Sequence, residues 1–391
     1  MTESVCLVSA VRTPIGDFGG ALRALKPLDL MRQVMGEAIK RAALAPEQIN
    51  QVLVGNCFAP LEQNIARISA LLLGLPYETP GHTINCACSS GMQAVITGAL
   101  NISLGLADVV VAGGVESMSN APYVLDFARW GQRLRHGEAI DLIWKSMQEY
   151  PVGGGMGVAA ERLAEKYGIS RGELDELAVS SHQRGARAVQ EGRFTREILP
   201  INVPAGKGKT VAVDRDEHPR ADTSLDELGK LKPAFKENGV VTAGNASSLN
   251  DGAAGVVIAS ERRAKELGLP VLARIKAHSA VAVDPHLVGM APVPAIRQML
   301  SRTGMSLGDI QLFEINEAFA SYYLATEKEL KLDREITNVN GSGISLGHPV
   351  GCTGCRILVT LYHEMERRGL GTGIAALCAG GGVGTGILLE R

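Results

Sequence analysis

Hydrophobic positions along the chain fall into short apolar runs that alternate with segments of helical spacing. Val5–Ala10 reads as a buried strand, Leu28–Ala43 as a helix, Gln51–Asn56 as a strand and Asn64–Leu73 as a helix closed by Gly74. A further helix over Cys88–Leu104 leads to Asp108–Gly114, an apolar strand that runs into a glycine turn. Strands alternating with helices predict a parallel sheet covered on both faces. After Ser119 the texture changes. Asn120–Asn250 carries loops, scattered charges and a helical pair, whose second member opens at a Ser170–Glu173 capping box and runs to about Glu191. This region reads as an insertion, and its expected physical role is a cover.

Beyond the insertion the rhythm returns as a copy. Pro270–His278 is again a strand followed by a Pro- and Gly-bearing loop, and Pro294–Thr303 again a helix. Gln311–Asn316 repeats Gln51–Asn56, Gly354 answers Gly91 and Gly380 answers Gly113, at separations that drift by a few residues. Two similar halves with an insertion in the first are therefore expected. The boundaries are residues 1–119 plus 249–268 for the first half, 120–248 for the cover and 269–391 for the second half.

Composition narrows the class. At 391 residues with 46% hydrophobic content the chain can bury a large core. Aromatic residues make up only 4% against 46 glycines, so that core must use Ala, Val, Leu and Ile in close backbone contact. A net charge of −2 gives no global attraction to nucleic acid or to an anionic membrane. Seven cysteines without a secretory framework predict free thiols and a cytoplasmic location. The C-x-x-C of Cys352 and Cys355 lacks the second pair that a zinc finger needs, and the terminal GILLER carries no targeting or lipidation signal.

The candidate chemistry centres on Thr83–Leu100. Cys88 stands there at an expected strand-to-helix turn, where helix N–H groups favour thiolate. Taken alone it reads equally well as a small buried hydrophobe. Three downstream stretches change that balance. Asn316 stands at a strand end, His348 in a loop with five glycines and Pro349, and Cys378 at the end of an apolar strand before a glycine nest. Together they supply a nucleophile, a base, a second thiol and amide donors, the set that acyl transfer through a thioester requires.

The motifs NCACSSG, GGVESMSNAPY, GNASSLNDGAA, NEAFA, GISLGHPVGCTG and CAGGGVG, in this order, resemble those of the thiolases. The resemblance implies an α/β thiolase fold, with two βαβαβαββ halves in a five-layer core and a loop domain over the site. It implies that Cys88 carries the acyl group and that His348 takes its proton. Cys378 would move the proton at the α-carbon, and Asn316 would hold a water in one oxyanion hole. The N–H groups of Cys88 and Gly380 would form the second. Coenzyme A and acyl-CoA enter as substrates, with no permanently bound cofactor and no metal. Arg220 is similar to the residue at the nucleotide end and Ser247 to the pantetheine contact. Phe235, Ala243 and Leu249 are similar to the apolar wall, with Met156 and Phe319 also at the substrate site.

The chain departs from the short-chain pattern at three places: Gly155 where an imidazole is usual, Val288 where methionine is common, and Gly341–Gly343 in place of GGA. A widened acyl pocket is the expectation. The resemblance also implies a homodimer or homotetramer, with no nucleic-acid or membrane partner. A decarboxylating ketoacyl synthase lacks the second thiol, and a carrier on the same frame tends to replace NEAFA, so both fit the residues less well.

Overall fold

The computed structural model describes residues 3–134, 136–206 and 208–391. Nine strands carry the fold: β1 (Val5–Arg12), β2 (Gln51–Gly55), β3 (Gly81–Ile84), β4 (Val109–Ser117), β5 (Asn250–Ser260), β6 (Ala273–Ala282), β7 (Leu312–Ile315), β8 (Thr372–Ala379) and β9 (Val383–Glu390). They lie in the order β7-β8-β9-β6-β1-β5-β4-β2-β3, with Gly16–Asp17 added beside β5. The two halves join where Cys6 and Leu7 of β1 pair with Arg274 and Ala273 of β6.

The sheet is mixed, which corrects the expectation of parallel strands. β2 pairs in parallel with both β3 and β4, and β7 with β8, but β5 and β9 run antiparallel to their neighbours. The cause is the short turn at residues 380–382, which joins β8 directly to β9 and can only make a hairpin. β4 and β5 pair in the same way, from Val109–Ala259 to Ser117–Asp251. The whole inserted region thus replaces the turn that the second half keeps, and this places it above the strand ends. Gly113 and Gly380 are not equivalent, contrary to the expected copy. Gly113 is paired inside β4 against Gly255, whereas Gly380 lies in the turn after β8.

Because side chains alternate across a strand, each half buries two faces. On β4, Val109, Val111 and Val115 face one core, with Met31, Val34 and Met35 of helix α1 (Pro27–Arg41) and Ile65 and Ala70 of α2 (Ile65–Leu72). Val110 and Ala112 face a second core with α3 (Ser90–Ser103).

The cover carries α4 (Leu142–Gln148), α5 (Met156–Tyr167) and α6 (Arg171–Gln190). The expected capping box forms at α6: Ser170 N donates to the Glu173 carboxylate at 2.7 Å, and Ser170 Oγ accepts from Glu173 N at 3.3 Å. In the second half α7 (Pro292–Thr303) and α8 (Ala320–Leu330) cover the outer face, and α9 (Val350–Arg368) joins α3 in the middle layer.

The middle helices touch backbone to backbone. A Cβ on Gly91 would lie 2.9 Å from the Gly351 carbonyl, and one on Gly354 would lie 2.5 Å from Met92 N. This contact seats α3 of one half against α9 of the other. Cys352 and Cys355 belong to the same packing, fully buried and free, so the C-x-x-C is core.

Candidate active site

The turn before α3 places Cys88. Ala87 adopts a left-handed backbone with φ of 49°, unusual for a residue with a side chain. Ser90 holds it: its hydroxyl donates to the Ala87 carbonyl at 2.6 Å and accepts from Cys86 N at 2.9 Å. Helix α3 then begins at Ser90, with Cys88 just ahead of it.

His348 comes from the loop before α9. Residues 343–346 make one helical turn, where an irregular loop was expected, and the chain then reverses at Gly347, φ 100°. A Cβ on Gly347 would meet the Asn250 amide at 2.6 Å, so only glycine fits there. Asn250 Oδ1 accepts the His348 backbone N–H at 2.8 Å. Thr353 donates its hydroxyl to the Pro349 carbonyl at 3.0 Å, and its oxygen lies 2.7 Å from His348 Nδ1. That hydroxyl oxygen must then accept, which puts the imidazole proton on Nδ1. Nε2 is left with a lone pair, buried and unpartnered among the described residues.

Cys378 ends β8, and Gly380 opens the turn that follows. Cys88, His348, Cys378 and Gly380 all line one cavity of about 290 Å³. Met156, Phe235, Ser247, Leu249 and Phe319 line it as well. Phe319 sits edge-on to both Phe235 and Tyr322, at centroid distances of 5.8 and 5.0 Å.

Burial sets the charge state of the site. Cys88 is pushed up to about 11 by desolvation, against the pull of the N–H groups of Gly380 and of Cys88 itself. Burial raises Cys378 too, and charge on Cys88 adds to the rise. Desolvation drives His348 down to about 3, with the Arg356 cation acting in the same direction. The free enzyme therefore holds two thiols and a neutral imidazole. The expected lowering of the Cys88 pKa by the helix terminus is outweighed by the desolvation of the half-buried thiol.

Residues 5–262 match the thiolase N-terminal domain, and residues 269–391 the thiolase C-terminal domain. The chain belongs to the thiolase family. It is similar to an acetyl-CoA acetyltransferase of Pseudomonas aeruginosa, 46% identical over the whole of both chains. Among solved structures it is similar to the Bacillus anthracis acetyl-CoA acetyltransferase, at 51% identity and a TM-score of 0.97, covering 100% of this chain and 99% of that one. It is also similar to human mitochondrial 3-ketoacyl-CoA thiolase in complex with CoA, at 41% identity and a TM-score of 0.95, covering 100% and 98%.

Three of the expected residues of this thiolase lie off the cavity wall. Arg220 and Ala243 are exposed outside it. Asn316 is buried, and its amide meets no hydrogen-bonding partner among the described residues. The departures resolve differently from the expectation. Val288 does line the cavity. Gly155 opens no void, since a Cβ there would lie 2.7 Å from the Gln148 carbonyl, and Gly341–Gly343 lie off the wall.

Sequence reasoning assigned no role to Glu116 in GGVESMS. Its carboxylate accepts from Asn56 Nδ2 and the backbone N–H groups of Cys57, Phe58 and Gly351, at 2.9–3.1 Å. It thereby ties the loop after β2 to the first turn of α9. Glu317 accepts from Ser181 Oγ at 2.6 Å and Asn338 Nδ2 at 2.8 Å, fixing the chain beyond Asn316.

Proposed function

We propose that this thiolase is an acetyl-CoA C-acyltransferase that makes and cleaves the carbon–carbon bond of 3-ketoacyl-CoA through an acyl-Cys88 thioester. The observation that carries the proposal is the convergence of Cys88, His348 and Cys378, from three distant stretches, on one cavity. The names of the relatives agree with it.

Cys88 attacks the thioester carbonyl of acetyl-CoA as His348 Nε2 takes its proton. Since both groups are neutral beforehand, proton transfer accompanies attack. The CoA sulfur leaves with the proton, and acetyl-Cys88 remains. Cys378 next passes its proton to His348 and, as the thiolate, takes the α-proton of a second acetyl-CoA, while the resulting imidazolium of His348 and a water held by Asn316 meet the enolate oxygen. The enolate carbon attacks acetyl-Cys88, the N–H groups of Cys88 and Gly380 hold the developing oxyanion, and collapse releases the 3-ketoacyl-CoA as the Cys88 sulfur leaves and takes the proton back from His348. Oxyanion donors of this kind typically contribute a factor of ~10²–10³ in turnover. Ser247, Leu249, Phe235, Met156 and Phe319 would seat the pantetheine arm, with Ala243 and Arg220 further out towards the nucleotide.

The division into residues 1–119 plus 249–268, 120–248 and 269–391 belongs to the same reading, supported by the repeated strand order. So does a homodimer or homotetramer, supported by exposed Leu100, Leu104 and Leu106 and by Tyr123 and Trp130 on the cover. A cytoplasmic location is supported by seven free cysteines. No helix among the described residues is long and apolar enough to cross a membrane.

The test is Cys378→Ala. It should still take an acetyl group from acetyl-CoA onto Cys88, while acetoacetyl-CoA formation and thiolysis fall by roughly 10²–10⁴-fold. Unchanged condensation in that variant would contradict the reading and favour a route that needs no second thiol.

A further inference from the structure

Helix α9 is buried along most of its length, yet it carries a polar stripe. Thr353, Arg356, Thr360 and Glu364 recur at helical spacing and share one face. Three of the four have protein partners. Thr353 meets His348 Nδ1, Thr360 donates to the Glu197 carboxylate at 3.0 Å, and Glu364 accepts from Asn340 Nδ2 at 3.0 Å. Arg356 is the exception: it is fully buried, and its Nε and both terminal nitrogens meet no hydrogen-bonding partner among the described residues. On the neighbouring strand β7, Phe313 and Ile315 pack into the outer core, whereas Leu312 packs with α9 in the middle layer. Glu314 shares that inner side by alternation, and Asn316 follows two residues on. Glu314 is fully buried too, with both carboxylate oxygens unpartnered among the described residues. Burial pushes the Glu314 carboxyl up against the pull of the Arg356 cation, and pushes Arg356 down against the pull of Glu314. Each is thus the opposite charge that the other feels most strongly, across a gap that no direct hydrogen bond closes. Buried charge without a partner is costly, and one buried water makes about three hydrogen bonds to groups that lack them.

We propose that Arg356 and Glu314 form a water-bridged ion pair, and that this pair sets the spacing of His348 and Asn316. The inference rests on the acyl-transfer reading above, in which those two groups meet the enolate oxygen together. Arg356 lies three residues beyond Thr353, which holds the imidazole, and Glu314 lies two residues before Asn316. The pair therefore ties the His348 end of α9 to the Asn316 end of β7. Neither residue lines the cavity, so both are positioning residues that act through their neighbours.

A crystal structure of the full-length enzyme, at a resolution that shows ordered water, should place at least one water within hydrogen-bond distance of both the Glu314 carboxylate and the Arg356 guanidinium. A direct ion pair, or a dry gap, overturns the proposal. Kinetics test the consequence. Arg356→Met/Glu314→Leu removes both charges together, an exchange that is often neutral for stability. Its kcat for acetoacetyl-CoA thiolysis should fall about tenfold or more with KM changed less than about twofold, since a shift of about 1 Å at a catalytic group costs up to ~10²-fold. Glu314→Gln keeps both hydrogen-bonding atoms, so its kcat should lie between those of the wild type and the double variant. Wild-type kcat in either folded variant removes the positioning role. Failure of acetyl-CoA to acetylate Cys88 in the wild type removes the acyl-transfer reading, and the positioning role with it.

Discussion

The backbone N–H of His348 donates to the side-chain oxygen of Asn250 at 2.8 Å. Asn250 opens β5, and its Nδ2 also reaches the Gly16 carbonyl at 3.1 Å and Asp17 Oδ1 at 3.3 Å. One amide therefore fixes the imidazole of the second half against the sheet of the first. Asn250→Ala removes the acceptor and leaves space beside Gly347. A displacement of about 1 Å at a catalytic group costs up to ~10²-fold. The expected result is a kcat for acetoacetyl-CoA thiolysis reduced about 10- to 100-fold with KM little changed, and partial recovery in Asn250→Asp, which keeps an acceptor oxygen. Wild-type kcat in Asn250→Ala would remove this positioning role.

Burial of neutral His348 makes stability depend on pH in a definite direction. The unfolded imidazole titrates near 6.5, the folded one near 3. Between these values the unfolded chain binds a proton that the folded chain refuses, so this contribution is complete above about 6.5 and is lost as pH falls towards 3. At pH 5 the loss amounts to about 2 kcal/mol. Denaturant midpoints at pH 7.5 and pH 5 should drop further in wild type than in His348→Asn. Equal drops would contradict the assignment.

Arg12 ties β1 to the cover from a fully buried position. Its Nε meets Glu197 at 2.6 Å, and its two terminal nitrogens meet Asp216 at 2.6 and 2.8 Å. Arg12→Ala strands two buried carboxylates, an arrangement that costs about 3–5 kcal/mol. Chemical denaturation should show a loss of that size. A loss below about 1 kcal/mol would mean that the cluster is hydrated and weakly coupled.

The backbone contact between α3 and α9 links stability to catalysis. Gly354→Ala puts a carbon 2.5 Å from Met92 N, where backbone has to move. Overpacking of this kind costs about 1–3 kcal/mol. Since α3 follows Cys88 and α9 follows His348, the lower Tm should come with a kcat reduced more than KM is raised. An unchanged Tm and kcat would show that the helices separate freely.

Much of this was legible in the sequence, and the remainder has physical reasons. The apolar runs became β1, β2, β4 and β7 because both faces of those strands are buried, whereas β6 is held by its pairing with β1 and β9 and is largely part-exposed. β5 was hidden: its opening Asn250-Asp-Gly reads as a turn, and what makes it a strand is pairing with β1 and β4 far along the chain. Cys88, His348 and Cys378 stood out through their glycine-rich settings. Asn250 and Glu116 did not, since their partners lie 98 and 235 residues away. The protonation of Cys88 was misjudged because local sequence shows a helix terminus but not the desolvation that packing from the second half imposes on the thiol.

The most direct measurement of the central claim is the intact mass and peptide map of the enzyme, quenched in acid after mixing with acetyl-CoA alone. One acetyl group on Cys88, discharged when free CoA is added before the quench, is the predicted result. A folded, unmodified protein, or an acetyl group carried by Cys378 in place of Cys88, would contradict it.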